Sequence, residues 1–388
     1  MHQYRQENNP RRQKCISPDH GRQPRPKDSR IETIEKLHEA LQEAIGIEHF
    51  TIPPYLCALY SIKDGSNAES ADIIRSVVVE EMLHMILASN ILNAIGGEPK
   101  INAKSLLPKY PSPLPHSAIG FEVGLVKFSR QSVNTFLRIE RPAESNVPRE
   151  TGKFRSIGEF YAAVREALIR LDKEAKAKGN KQGIFTGTKT QVPPEYFYNA
   201  GGRVTIVEDI DGANRAIDEI VGQGEGIDHT IDDGDPGFEK GVELAHYFRF
   251  NQIFNERRYK AGDLSDDSPS GDSLPVAWDA VHNMIPDPKM HKFGNQPKLL
   301  EMVKTFNRSY MALLDNLHVA CNGKPEVLKE GIPMMHALKH QAIGLMKIPC
   351  GIGDFTAGPT FEYVPQMESD EGLLDAGKGK APIQPKKP

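Results

Sequence analysis

Glu-x-x-His is found as Glu81-Met82-Leu83-His84 and again as Glu243-Leu244-Ala245-His246. On a helix, residues three apart sit about one turn above each other, so each copy turns a carboxylate and an imidazole to the same side. Two such helices, with one glutamate from each of two more, form the ligand set of carboxylate-bridged di-iron and di-manganese bundles. A single copy arises by chance in many helices. The duplication carries the weight.

The two remaining glutamates are expected on the helix preceding each motif. Leu37, Leu41, Ile45, Glu48 and Ile52 form one stripe, which places a carboxylate among apolar neighbours, and Ile217, Val221 and Glu225 share a face in the second case. A charged group on an apolar face is costly unless it is paired or metal-bound. Glu219 rivals Glu225 on the same candidate helix, and Gly222, Gly224 and Gly226 leave room for close backbone approach or a helix end there. Val77, Glu80, His84, Leu87 and Ile91 also make a plausible stripe. The three-residue spacing nevertheless selects Glu81 over Glu80, which becomes a candidate for the layer behind the ligands. The expected metal ligands, acting in catalysis through the metals, are Glu48, Glu81, His84, Glu225, Glu243 and His246.

Other residues are weaker candidates. His336 and His340 lie four apart but read as an exposed pair, and His49 points off the Glu48 face. Tyr55 and Tyr247 are candidate hydrogen-bond donors behind the ligands. Glu140 and Arg141, on a hydrophobic segment, are candidates to orient a polar substrate or to form a structural ion pair.

Helices must position these groups. Hydrophobic periodicity predicts helices over 31–63, 68–95, 157–178, 212–226 and 238–259, with a late pair over 298–322 and 325–346. Gly96-Gly97 should stop the second. Pro53-Pro54 remove two backbone donors inside the first, which predicts either a kink or a break. The stretch from about 100 to 154, rich in proline and with β-like runs such as 121–128, has a different texture. Met1 to Arg30, with four prolines among polar residues, and the segment from about 366 onward read as flexible tails.

Composition excludes several classes. With 26% charged residues and a net charge of −4, there is no basic excess for nucleic acid. The apolar run 73–95 is interrupted by Arg75, Glu80, Glu81 and His84, which argues against a membrane span. The polar N-terminus lacks the apolar core of a signal peptide, so a soluble, cytoplasmic protein is expected. Cys15, Cys57, Cys321 and Cys350 form no CxxC pair and read as reduced thiols.

Ile47-Glu48-His49-Phe50-Thr51-Ile52-Pro53-Pro54-Tyr55-Leu56, Glu80-Glu81-Met82-Leu83-His84 with Asn90, Gly224-Glu225-Gly226 and Glu243-Leu244-Ala245-His246-Tyr247-Phe248-Arg249-Phe250 resemble the ferritin-like domain of iminophenylpyruvate dimer synthases. So do Phe136-Leu137-Arg138-Ile139-Glu140-Arg141-Pro142, Ile157-Gly158-Glu159-Phe160-Tyr161 and Gly358-Pro359-Thr360-Phe361-Glu362-Tyr363. Those enzymes act in violacein- and rebeccamycin-type bisindole pathways, and the synthases of that kind are much longer than this chain. The resemblance implies a ferritin-like domain over 31–365, with an insertion at about 100–211 between bundle helices 2 and 3. It also supports Glu225 over Glu219.

The expected fold is thus mostly α: a ferritin-like four-helix bundle with a large loop- and β-containing insertion and additional C-terminal helices. The expected function is a dinuclear non-haem iron oxidoreductase of specialised metabolism that activates O2 on a small-molecule substrate, with two iron ions, or manganese or a mixed pair. Two alternatives are an iminophenylpyruvate-type imine dimer synthase, working by oxidative coupling, and a non-catalytic ferritin-like metal-binding protein. No nucleic-acid or membrane partner is expected, and a homodimer is compatible with the sequence.

Overall fold

The structure is a computed structural model that describes residues 31–117, 120–142, 154–197, 201–226, 230–236 and 242–365. The tails assigned to 1–30 and 366–388 lie outside these residues.

Two long helices, α1 (Ile34–Ser61) and α2 (Ala68–Ala94), form an antiparallel hairpin, the most extensive helix pairing in the fold. Thr33 caps α1 by accepting from the Lys36 amide at 3.3 Å. α2 ends on Gly96 at φ 84°, where Gly96 N–H bonds Asn93 O and Gly97 N–H bonds Leu92 O, the Schellman arrangement that the glycine pair predicts. α2 is long and apolar enough to cross a membrane by length and composition, but 89% of that window is buried within the protein.

α1 runs unbroken through Pro53 and Pro54. Proline at 54 cannot donate to the Phe50 carbonyl four residues earlier. The Tyr110 hydroxyl takes over that acceptor at 2.7 Å. A break at the prolines, one of the two sequence expectations, therefore does not occur, because a partner from a distant loop satisfies a carbonyl that the helix itself leaves open.

The other helices are α3 (Arg130–Ile139), α4 (Ile157–Ala177), α5 (Ile210–Glu225), α6 (His246–Asn255), α7 (Pro297–Cys321) and α8 (Leu328–Met346). α4 packs on α5 and on α1, α5 also packs on α2, and α3 packs on α6. α7 and α8 pair with each other against the α1–α2 hairpin. Strands are few among the described residues: β1 (Ser112–Pro113) pairs antiparallel with β2 (Glu122–Val123), and β3 (Asp232–Pro236) pairs antiparallel with β4 (Val242–Leu244).

Two sequence expectations are corrected. The segment read as loop and β-like contains α3, a helix with Val133, Phe136 and Leu137 buried on one side and Ser129 at its N-cap. Of the helix expected over 238–259, residues 238–241 lie outside the described residues, 242–244 pair with β3 instead, and the helical part is α6 with Ala245 at its N-cap.

Candidate metal centre

α1 and α2 bring together Glu48, Glu81 and His84, all at most 2% exposed. Their donor atoms lie within 4.8 Å of one another. Glu81 belongs to a second such group with His246, the first residue of α6, and Glu140, the residue that caps α3. The two groups share one carboxylate, and all five side chains are buried.

The imidazoles are held in the same way. His84 Nε2 lies 2.9 Å from Gln223 Oε1, and the Gln223 amide nitrogen lies 3.4 Å from Glu219 Oε1, so the oxygen faces the ring and Nε2 carries the proton. His246 Nε2 lies 2.8 Å from Glu80 Oε2, an acceptor only, so Nε2 is again the donor. Both Nδ1 atoms then offer lone pairs inward. His84 Nδ1 is 3.4 Å from Glu48 Oε2, and His246 Nδ1 is 3.0 Å from Glu81 Oε1 and 3.5 Å from Glu140 Oε2. His246 Nδ1 is buried without a hydrogen bond. The rings stack 5.5 Å apart.

Each carboxylate receives a hydroxyl. Tyr161 OH donates to Glu48 Oε1 at 2.6 Å, Thr51 Oγ1 to Glu81 Oε2 at 2.8 Å, and Tyr55 OH to Glu140 Oε1. Burial pushes the Tyr55 and Tyr161 hydroxyls far up, so both remain neutral donors.

The electrostatics favour cations. Burial, with the Glu140 charge adding to it, raises the Glu81 carboxyl well above the usual range. Burial opposes charge on His84 and His246, but facing carboxylates outweigh it and raise both rings. Burial would raise Glu80 too, yet the Arg249 guanidinium 2.7 Å away holds it at about 2. Five buried carboxylates, Glu48, Glu80, Glu81, Glu140 and Asp233, stand against one buried guanidinium, that of Arg249. A dry interior penalises such an excess of carboxyl groups unless protons or cations neutralise it. The inward lone pair of His246 and this charge excess fit a pair of metal ions.

Glu225 and Glu243 are placed otherwise. Glu225 ends α5, and its Oε1 accepts the Gly158 amide at 2.7 Å, at the N-terminus of α4. A helix start offers unpaired N–H groups and a favourable dipole to a carboxylate. Burial raises the Glu225 carboxyl to about 7. It lines the same small cavity as Glu48, Glu81, His84 and Glu140, with a water-accessible volume of about 20 Å³, but belongs to neither three-residue group. Glu243 lies on β4, so it is not one helical turn from His246. It is 30% exposed and faces Arg249 at 3.4 Å. The second Glu-x-x-His is not a helical unit, because β3 claims the backbone before the helix begins.

Sequence reasoning missed Glu140 as a partner of the imidazoles. Its signal was the stripe Val133, Phe136, Leu137, Glu140, which continues an apolar face into a carboxylate. Gln223, Thr51 and Tyr161 had no readable signal, since each acts across the bundle. Of the weaker candidates, Tyr55 reaches the site, Tyr247 packs edge-on against Phe248, Arg141 is exposed, and His49 is buried against Tyr310. His336 and His340 are exposed.

A family model described as Ferritin-like matches residues 41–255. Dichlorochromopyrrolate synthase from Lentzea aerocolonigenes is 25% identical over an alignment of 408 positions that covers 89% of this chain and 37% of that protein. The 2-imino-3-(indol-3-yl)propanoate dimerase of Chromobacterium violaceum is 26% identical, over 85% of this chain and 34% of that protein. The chain thus spans about a third of the length of these curated relatives. A solved ferritin-like protein from Caulobacter vibrioides superposes with a TM-score of 0.57 at 25% identity, covering 85% of this chain and 99% of that one.

Proposed function

The chain belongs to the ferritin-like family, and from that premise we propose that it is a dinuclear non-haem iron oxidoreductase that uses dioxygen on a small-molecule substrate of specialised metabolism. The observation that supports this most is the pair of anchored imidazoles, each turning Nδ1 toward buried carboxylates, with Glu81 common to both groups. Glu48, Glu81 and His84 would hold one ion, and Glu81, Glu140 and His246 the other. Manganese or a mixed pair suits the same oxygen and imidazole donors. When bound, two ferrous ions supply the electrons that reduce dioxygen.

The protein's own groups do the rest. Tyr161, Thr51 and Tyr55 hold the three carboxylates in place through their hydroxyls. Ile139, Ile157, Ile220 and Val221 supply the apolar part of the cavity wall beside these ionisable groups. Glu225 lies on that wall, its carboxyl raised to about 7 by burial and its Oε1 accepting from the Gly158 amide. The matrix around this site is one domain over 31–365, in our reading.

The relatives favour a second, more specific reading: dimerisation of a 2-imino acid, the reaction for which the Chromobacterium violaceum protein is named. Anaerobic reconstitution with ferrous iron followed by oxygen exposure, with and without an indole-pyruvate imine, tests both. The expected result is oxygen consumption that depends on iron, and coupled product supports the second reading. Oxygen uptake with iron retained in a high-mass cage, and no substrate consumed, would instead support a metal-storage protein.

A pH dependence follows. The carboxyls of Glu81 and Glu225 titrate above the 4.5 of an ordinary glutamate, Glu225 at about 7. Between those values the folded, metal-free chain binds more protons than the unfolded one, so its stability falls as pH rises. The raised rings of His84 and His246 extend the trend upward from 6.5, whereas Glu80, already ionised, adds no slope in this window. Bound metal would displace the protons on Glu81, His84 and His246, the groups that it would contact. The melting temperature of the metal-free protein should therefore drop more between pH 5 and pH 7.5, roughly the interval set by these groups, than that of the metal-loaded protein. Equal slopes would show that metals and protons do not compete for the same atoms.

A further inference from the structure

We infer that the two metal positions are unequal, and that Glu80, backed by Arg249, makes the His246 position the tighter one. This rests on the dinuclear reading above. In the inner layer the positions match: each has one imidazole Nδ1 and two carboxylates, with Glu81 shared. The difference lies behind the rings.

The anchor behind His84 is neutral: the Gln223 amide oxygen accepts its Nε2–H. The anchor behind His246 is anionic. Glu80 Oε2 accepts the Nε2–H at 2.8 Å, while Glu80 Oε1 accepts from Arg249 Nη1 at 2.7 Å. Arg249 Nη2 donates to Asp233 Oδ2 at 2.9 Å, and Nη1 also reaches Ser76 Oγ at 3.0 Å. Glu80, Arg249 and Asp233 together keep one net negative charge, all of it buried. A carboxylate pulls the imidazole N–H more strongly than an amide does and leaves more electron density on Nδ1, which raises ligand basicity.

The arrangement is also rigid. Both Glu80 oxygens are committed, so Glu80 cannot swing inward to become a ligand itself. Arg249 is fixed further by the Leu244 carbonyl. Gly201, at φ 73°, presses on Glu80 so closely that a Cβ there would lie 2.6 Å from Oε1. Glu80 and Arg249 are thus positioning residues for His246.

The test is anaerobic titration of the metal-free full chain with Fe²⁺ against a chromophoric chelator. Wild type should bind in two steps, with His246→Ala removing the tighter and His84→Ala the weaker. Glu80→Gln should weaken the tight step about 10–100-fold, the usual cost of losing such an outer partner, and leave the weak step within about 3-fold. Gln223→Glu should strengthen the weak step and narrow the gap, an effect that no merely structural role would produce. If Glu80→Gln fails to fold, Gln223→Glu decides the matter. Two equal steps in wild type, equal weakening of both by Glu80→Gln, or no gain from Gln223→Glu overturns the inference alone. A wild-type chain that binds no iron overturns the dinuclear reading with it.

Discussion

Glu81→Gln is expected to empty both metal positions at once, taking bound iron from about two per chain, the complement of such bundles, to near zero. Glu81 is the one residue in both groups: Oε1 faces His246 Nδ1 at 3.0 Å, and His84 lies one turn along the same helix. Glutamine keeps the volume and still accepts from Thr51 through its amide oxygen, but it removes the charge. Stability separates loss of ligation from loss of fold. In the metal-free wild type, the Glu81 carboxyl is buried and near Glu140, which is why it holds its proton so firmly. A neutral amide relieves that strain, so the metal-free variant should melt at or above the wild-type temperature while added metal no longer raises it. Metal analysis beside a thermal melt makes the check, and a variant that still binds two ions would refute the shared-ligand assignment.

The second large effect is a contrast between two glutamates. Glu140→Gln is expected to cost the His246 position, with affinity there down about 100-fold, at the upper end of what outer partners cost because in the proposed site Glu140 would be a ligand itself. The Glu48 and His84 position should survive. Glu243→Gln is expected to change metal affinity by less than about 3-fold and stability by only about 0–1 kcal/mol, as for partly exposed ion pairs generally. Its carboxylate faces Arg249 from a strand and is 30% exposed. Chelator competition on both variants decides between the two placements. If Glu243→Gln lost an ion and Glu140→Gln did not, the helical reading of the second Glu-x-x-His would be restored and the grouping around His246 abandoned.

What the chain determines by itself is local. The burial of Glu48, Glu81 and His84 on one side of the hairpin was legible because they lie on long helices, where burial repeats every three to four residues and a charged residue on the buried stripe stands out. The ends of α2 and α5 were legible for a similar reason, since glycine at positive φ is a property of one or two residues. The membership of His246 was legible as a motif, but its partner was not. Whether 243–246 form a helical turn depends on whether β3 competes for that backbone, and the pairing of Asp232 with Leu244 and Pro236 with Val242 arises only in the folded state. Glu225 was legible as a carboxylate on an apolar face, but the N-terminus of α4, 67 residues earlier in the chain, draws it to Gly158.

The continuity of α1 through two prolines was likewise decided at a distance, by the Tyr110 hydroxyl. Gln223 and Glu80, which orient the rings, and Tyr161, which steadies Glu48, act across contacts of 113 to 166 residues. Periodicity records which face of an element is buried, and it holds no information about what the opposing element presents there. The sequence alone therefore determined a buried carboxylate and histidine site on the first two helices. The placement of Glu140 rather than Glu243 beside His246, and the different anchors behind the two imidazoles, belong to the packing of α3, α5 and α6 against that hairpin.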